Sequence, residues 1–245
     1  MYANQINRLA SLLKIDTAVV LVGGPGSRLS PLTEKMPKAL VKVGSKPLLQ
    51  WILEWLRHND VRHVILGVAH LKDDIIHHFD DGNRYGLDIE YSVHTVEGGT
   101  GEGFRLAISK YVNDEVFFAL NGDQITDLDL HDLAFFHLRN NPTVTMAVTK
   151  PYCPFGHVEV DDNANVLRFI EKPTCALMVC NAGIYVFNHG ILPYLPEKGD
   201  IEQMTLPLLA KRHRLRAYLH NGLFITVNTP KDLETANDKL RRLRL

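Results

Sequence analysis

Ala18–Pro47 reads AVVLVGGPGSRLSPLTEKMPKALVKVGSKP, and the organisation of the whole chain is best approached from this stretch. A short apolar, β-branched run predicts a strand that ends in Gly23-Gly24-Pro25-Gly26-Ser27-Arg28, with Lys38 ten residues after the arginine. Three glycines within four positions let the backbone turn sharply and approach an anion closely. Arg28 adds a planar fork for phosphate oxygens, and Lys38 adds a mobile point charge that can reach a second phosphate. Together they describe a strand feeding a cradle for a triphosphate.

The competing glycine motifs fail on spacing. A P-loop needs G-x-x-x-x-G-K-[ST], and no Lys-Ser or Lys-Thr pair follows these glycines at that distance. A dinucleotide fingerprint needs a third glycine where this chain has Leu29. It also needs an acid about 20 residues on, where the chain reads Ala39-Leu40-Val41-Lys42-Val43-Gly44.

Composition narrows the class. The 245 residues, 45% hydrophobic and 22% charged, suit one sizeable α/β domain. A net charge of −1 gives no basic face for nucleic acid. Cys153, Cys175 and Cys180 form neither an even disulfide framework nor a C-x-x-C pair. No secretory leader or membrane-length apolar run is present, so the expectation is a cytoplasmic protein with no membrane partner. The twelve histidines show no zinc spacing with an intervening glutamate.

Outward from the glycine loop, Pro47 opens a helix through Arg57. His63–Val68 predicts a strand, Asp73–Phe79 a helix, Leu87–Tyr91 a strand, and Glu115–Leu120 a strand running into Asn121-Gly122-Asp123. This alternation implies parallel pairing in a doubly wound α/β sheet, with ligands at the carboxyl ends of the strands. Thr143–Thr149, His157–Val160, Val166–Ile170 and Ala182–Phe187 then read as strands, the polar turn 161–165 making a hairpin of the middle pair. Ile201–Arg212 predicts a helix, Leu215–Leu219 and Phe224–Val227 strands, and Pro230 the first turn of a last helix capped by Thr229. Residues 1–15 carry Ile6, Leu9, Leu12 and Leu13 at helical spacing. That segment is expected to pack on the domain or on a neighbouring subunit, which leaves a homo-oligomer open.

The first motif resembles the signature of the sugar-1-phosphate nucleotidylyltransferases, L-x-G-G-x-G-[TS]-R-L-x-P-L-T, followed by P-K-x-L and a Lys-Pro pair. The GDP-mannose and GDP-heptose pyrophosphorylases are the nearest in appearance. The resemblance implies a Rossmann-like, doubly wound mixed sheet, the nucleotide-diphospho-sugar transferase fold. Residues 16–245 would form one domain, with a nucleotide half over about 16–140 and a sugar-binding half over about 141–245. No hexapeptide repeat follows, so the β-helix tail of many relatives is expected to be absent.

It further implies conversion of an NTP and a sugar-1-phosphate to an NDP-sugar and pyrophosphate with Mg²⁺ as cofactor. Leu21, Gly23, Gly24, Gly26, Ser27, Arg28, Gly99 and Thr100 would hold the nucleotide. Arg28 and Lys38 would neutralise the triphosphate, and Asp123 would hold the metal. Glu171-Lys172-Pro173 would serve the sugar phosphate, the glutamate on hydroxyls and the lysine on phosphate. Gly156 and Asn181 would lie beside the ring. Glu102 would either accept from a guanine edge or favour the helix N-terminus by its charge.

One motif departs from the family. Relatives read W-x-D-I-G-T-P, whose aspartate is a second metal ligand, where this chain reads Phe224-Ile225-Thr226-Val227-Asn228-Thr229-Pro230. Asn228 would be the nearest substitute, since an amide carbonyl can coordinate Mg²⁺; otherwise Asp123, phosphates and water would hold the metal alone, or catalysis would be weak. The alternatives are a non-catalytic sugar-nucleotide-binding regulatory subunit, favoured by Thr226, and a nucleotidylyltransferase for a non-sugar phosphate such as phosphocholine.

Overall fold

The computed structural model describes residues 15–151, 157–171 and 178–243. The described residues form thirteen strands, β1 (Thr17–Leu21), β2 (Lys42–Val43), β3 (Lys46–Pro47), β4 (His63–Val68), β5 (Asp88–Val93), β6 (Val116–Asn121), β7 (Gln124–Thr126), β8 (Val144–Thr149), β9 (His157–Val160), β10 (Val166–Ile170), β11 (Cys180–Asn188), β12 (Leu215–His220) and β13 (Phe224–Thr226), with helices between many of them. Seven of them form one sheet in the order β12-β8-β11-β6-β1-β4-β5. Neighbours run parallel except at β11, which is antiparallel to both β6 and β8.

The period of two along β1 decides which side chain enters which layer. Ala18 and Val20 point into one core with Leu66, Leu120 and Ile184, covered by Leu49, Leu53 and Leu56 of the helix Leu48–His58. Val19 points into the other with Ile65, Ala119 and Phe187, covered by Phe104 and Ile108 of the helix Gly99–Tyr111. Covering both faces explains why β1, β4 and β6 are near-continuous apolar runs.

β8, β11 and β12, from the second half of the chain, complete this same sheet. The expected strand at 224–227 is β13, and it pairs with the three-residue β7; β7 and the two-residue β2 and β3 had no clear sequence signal. β9 and β10 pair as the expected hairpin, its turn tied by Asp161, which accepts from Asn163 N at 2.9 Å and Asn165 N at 2.8 Å. The predicted helix 201–212 is shorter, Thr205–Lys211, following a turn over 201–204. The helical expectation for 1–14 lies outside the described residues.

Candidate functional site at the carboxyl ends of β1 and β6

β1 has β4 on one side and β6 on the other, so connections leave it in opposite directions and a crevice opens beyond its carboxyl end. Backbone close packing shapes that crevice. A Cβ on Gly23 would stand 2.6 Å from His94 Nε2 and 2.7 Å from Ala69 N, and one on Gly122 would stand 2.4 Å from Val22 Cγ1. Gly24, by contrast, faces open space. Gly26 takes φ +63°, the left-handed conformation that glycine tolerates best, and its carbonyl accepts from Thr33 Oγ1 at 2.8 Å. Ser27–Leu29 follow as one tight turn, anchored by the fully buried Leu29 and leaving Arg28 exposed.

The resulting cleft is about 320 Å³, lined among others by Leu21, Gly23, Gly24, Lys38, Thr100 and Asp123. Gly99 also lines it, whereas Gly26 and Ser27 stand just outside. On its floor, Lys38 Nζ donates to Asp123 Oδ2 at 3.0 Å and to Asn228 Oδ1 at 2.8 Å. Arg28 Nη2 donates to the same Asn228 oxygen at 3.1 Å.

Residues up to 200 apart in sequence meet there because β13 pairs with β7, directly after Asp123, and Val227 N bonds to Asp123 O at 3.1 Å. Leu29, Leu48, Ile125, Ile225, Val227 and Leu240 form a small core beneath this ribbon. The expected cap is present and reciprocal. Thr229 Oγ1 accepts from Asp232 N at 3.2 Å, while Asp232 Oδ2 accepts from Thr229 N at 2.9 Å and from Asn228 N at 3.2 Å. The backbone of Asn228 is thereby held where its side chain reaches Lys38.

Asn228, rather than Thr226, shares Lys38 with Asp123. Thr226 is exposed and lines a second hollow of about 650 Å³ that opens along β13 and the start of β11. The donor set suits a hard divalent cation, since two side-chain oxygens already converge on one positive charge. Among the described residues there is no group of three or more His, Cys, Asp or Glu that could hold a metal.

The opposite wall is the N-terminus of the helix Gly99–Tyr111, and it is less available to a ligand than its glycines suggest. Thr100 N is taken by Asp200 Oδ1 at 3.0 Å and Gly101 N by Gly199 O at 2.8 Å. Thr100 Oγ1 donates to Glu202 Oε2 at 2.8 Å, so the 199–202 turn latches this helix start. Asp200 also lines the cleft, and nothing in the sequence around Lys198-Gly199-Asp200 marked it. Glu102 is turned away to Thr95, accepting from its N and Oγ1 at 2.7 Å each, and these two bonds hold its carboxyl below the usual range. Asn121 Oδ1 is buried with no partner, an acceptor oxygen on a residue that lines the cleft.

On the expected sugar side, Asn181 lines the second hollow. Its amide donates to Tyr185 Oη at 2.6 Å and accepts from Gly183 N at 2.8 Å, leaving one N–H and one lone pair for a ligand. Glu171 follows β10 and is exposed. Gly156 and Lys172 lie outside the described residues.

Residues 17–241 match the model of the nucleotidyl transferase family. The chain belongs to that family. It is 34% identical to a mannose-1-phosphate guanyltransferase of Yarrowia lipolytica over 87% of this chain and 61% of that one. It is 33% identical to a mannose-1-phosphate guanylyltransferase of Mycobacterium tuberculosis over 92% of this chain and 64% of that one. The chain thus spans less than two thirds of the length of these curated relatives. The fold matches that of HddC from Yersinia pseudotuberculosis, with a TM-score of 0.73, 24% identity, and coverage of 92% of this chain and 100% of that one. No helix among the described residues is long and apolar enough to cross a membrane.

Proposed function

We propose that this chain transfers a nucleotidyl group from an NTP to a sugar-1-phosphate, releasing pyrophosphate. The observation that carries the reading is the convergence of Arg28, Lys38, Asp123 and Asn228 beside a glycine-built cleft at the carboxyl edge of β1 and β6. The names of the relatives make GTP and mannose-1-phosphate the first pairing to try.

In the reaction an oxygen of the sugar phosphate attacks the α-phosphorus, and the bond from that phosphorus to the bridging oxygen of the β-phosphate breaks. No covalent intermediate on the protein is needed, so catalysis is positioning and charge neutralisation. Gly23 and Gly24 let the backbone lie against the nucleotide. Arg28 and Lys38 take the charge of the triphosphate and of the departing pyrophosphate. Asp123 and Asn228 would hold Mg²⁺, which when bound supplies positive charge to the phosphate oxygens. Glu171 and Asn181 would take sugar hydroxyls, and Lys172 would steer the attacking phosphate.

Pyrophosphate release across four NTPs and a panel of sugar-1-phosphates tests this, with Asp123→Asn as the inactive control. Turnover with at least one pairing that collapses in the variant is the expected result. Tight binding of an NDP-sugar with no pyrophosphate under any pairing would instead mark a regulatory sugar-nucleotide sensor.

A further inference from the structure

The metal oxygens proposed above are not bare. Lys38 Nζ sits within hydrogen-bond distance of both, 3.0 Å from Asp123 Oδ2 and 2.8 Å from Asn228 Oδ1. The arrangement is well enclosed, with the lysine side chain 15% exposed and the aspartate 30%. Arg28 reinforces it from the cleft rim, adding a second cation to Asn228. A divalent ion arriving alone would have to take lone pairs from an ammonium already seated on them, and would meet two positive charges while doing so. A triphosphate changes that balance, because its oxygens offer the ammonium a stronger, multiply charged partner.

Resting on the assignment of Asp123 and Asn228 to the metal, we propose that Lys38 is a resident counter-cation. It closes the metal site in the nucleotide-free protein and leaves for the phosphates when a triphosphate binds. Metal and nucleotide are then thermodynamically coupled through one side chain, and the coupling must be reciprocal. The metal enters with the nucleotide rather than ahead of it.

The test is Mn²⁺ binding to the full chain, read from the free-ion electron paramagnetic resonance signal, with and without a non-hydrolysable NTP analogue. Wild type is compared with Lys38→Met and with Lys38→Gln, which keeps a polar tip without charge. Circular dichroism confirms that each is folded. Without nucleotide, both variants should bind Mn²⁺ about tenfold more tightly than wild type. The factor by which the analogue tightens Mn²⁺ should shrink correspondingly. Adding Asp123→Asn to Lys38→Met should abolish the gain. If nucleotide promotes Mn²⁺ binding in wild type but neither variant changes affinity for the ion alone, the counter-cation role is overturned while the metal assignment stands. If Asp123→Asn leaves Mn²⁺ binding with nucleotide unaltered, the metal assignment itself fails.

Discussion

Along the carboxyl ends of β1 and β6 the chain packs backbone against backbone, with Gly23 and Gly122 leaving no room for a methyl group. The β9–β10 ribbon instead holds its apolar side chains in the open, from Val158 at 44% exposure to Leu167 at 67%. The first region has its charged groups knitted together by bonds reaching across 85, 190 and 200 residues. The second owes its shape to a hairpin and the turn bonds of Asp161. A two-stranded ribbon is marginal by itself. The difference assigns preorganisation to the cleft that would meet the triphosphate and compliance to the ribbon that ends in Glu171.

The largest effect expected from breaking this contrast is at Lys38. Lys38→Ala should lower turnover by about 10²–10³-fold with the fold intact, since a cation seated on the triphosphate does most of its work in the transition state. Steady-state kinetics and a thermal melt on the same preparation check both halves of that expectation. An Ala substitution at Glu171 should act mainly on KM for the sugar phosphate.

A second effect belongs to the helix Leu130–Asn140, where the buried His137 packs on the sheet and its Nδ1 pairs with Thr145 Oγ1 of β8 at 2.9 Å. Burial pushes its pKa down from 6.5 to about 4. Above pH 6.5 the imidazole is neutral folded or unfolded, so it confers no pH dependence. As pH falls from there towards 4, the unfolded chain takes up the proton first and the fold loses on the order of 2–3 kcal/mol. Urea midpoints measured from pH 7.5 to 4.5 should therefore decline less in His137→Gln than in wild type.

Neighbouring glycines sharpen the contrast further. Gly23→Ala drives a methyl into Ala69 N and His94, and should cost about 1–3 kcal/mol in chemical denaturation. Gly24→Ala meets nothing within 4 Å and should leave stability within about 0.5 kcal/mol while weakening nucleotide affinity. The smallest effect is expected on the ribbon, where Phe169, at 62% exposure, should tolerate Ala within about 0.5 kcal/mol. Fully buried Phe117 provides the opposite limit at about 3–5 kcal/mol.

Strand β1, the glycine turn, the parallel units up to Asp123, the hairpin turn at Asp161 and the Thr229 cap were all legible from residue types, because each depends on neighbours in the chain. Local chemistry also marked Arg28, Lys38 and Asp123 as charged groups at strand ends. Three things were not legible. Asp200 and Gly199 occupy the amides of Thr100 and Gly101, at the helix start where Gly99 and Thr100 are expected to hold the nucleotide. That Asn228 meets Asp123 through Lys38, with Thr226 left exposed, depended on β13 pairing with β7. The closure of Asp123 and Asn228 by Lys38 required three distant segments to meet. Periodicity, turn chemistry and capping are settled within a few residues, so the sequence alone determined the elements and the kind of groups they present. Which oxygen meets which cation depends on the register of a three-residue ribbon and the packing of Leu29, Ile125, Ile225 and Leu240 beneath it. Such contacts form only when the chain closes on itself, and only the tertiary structure decided them.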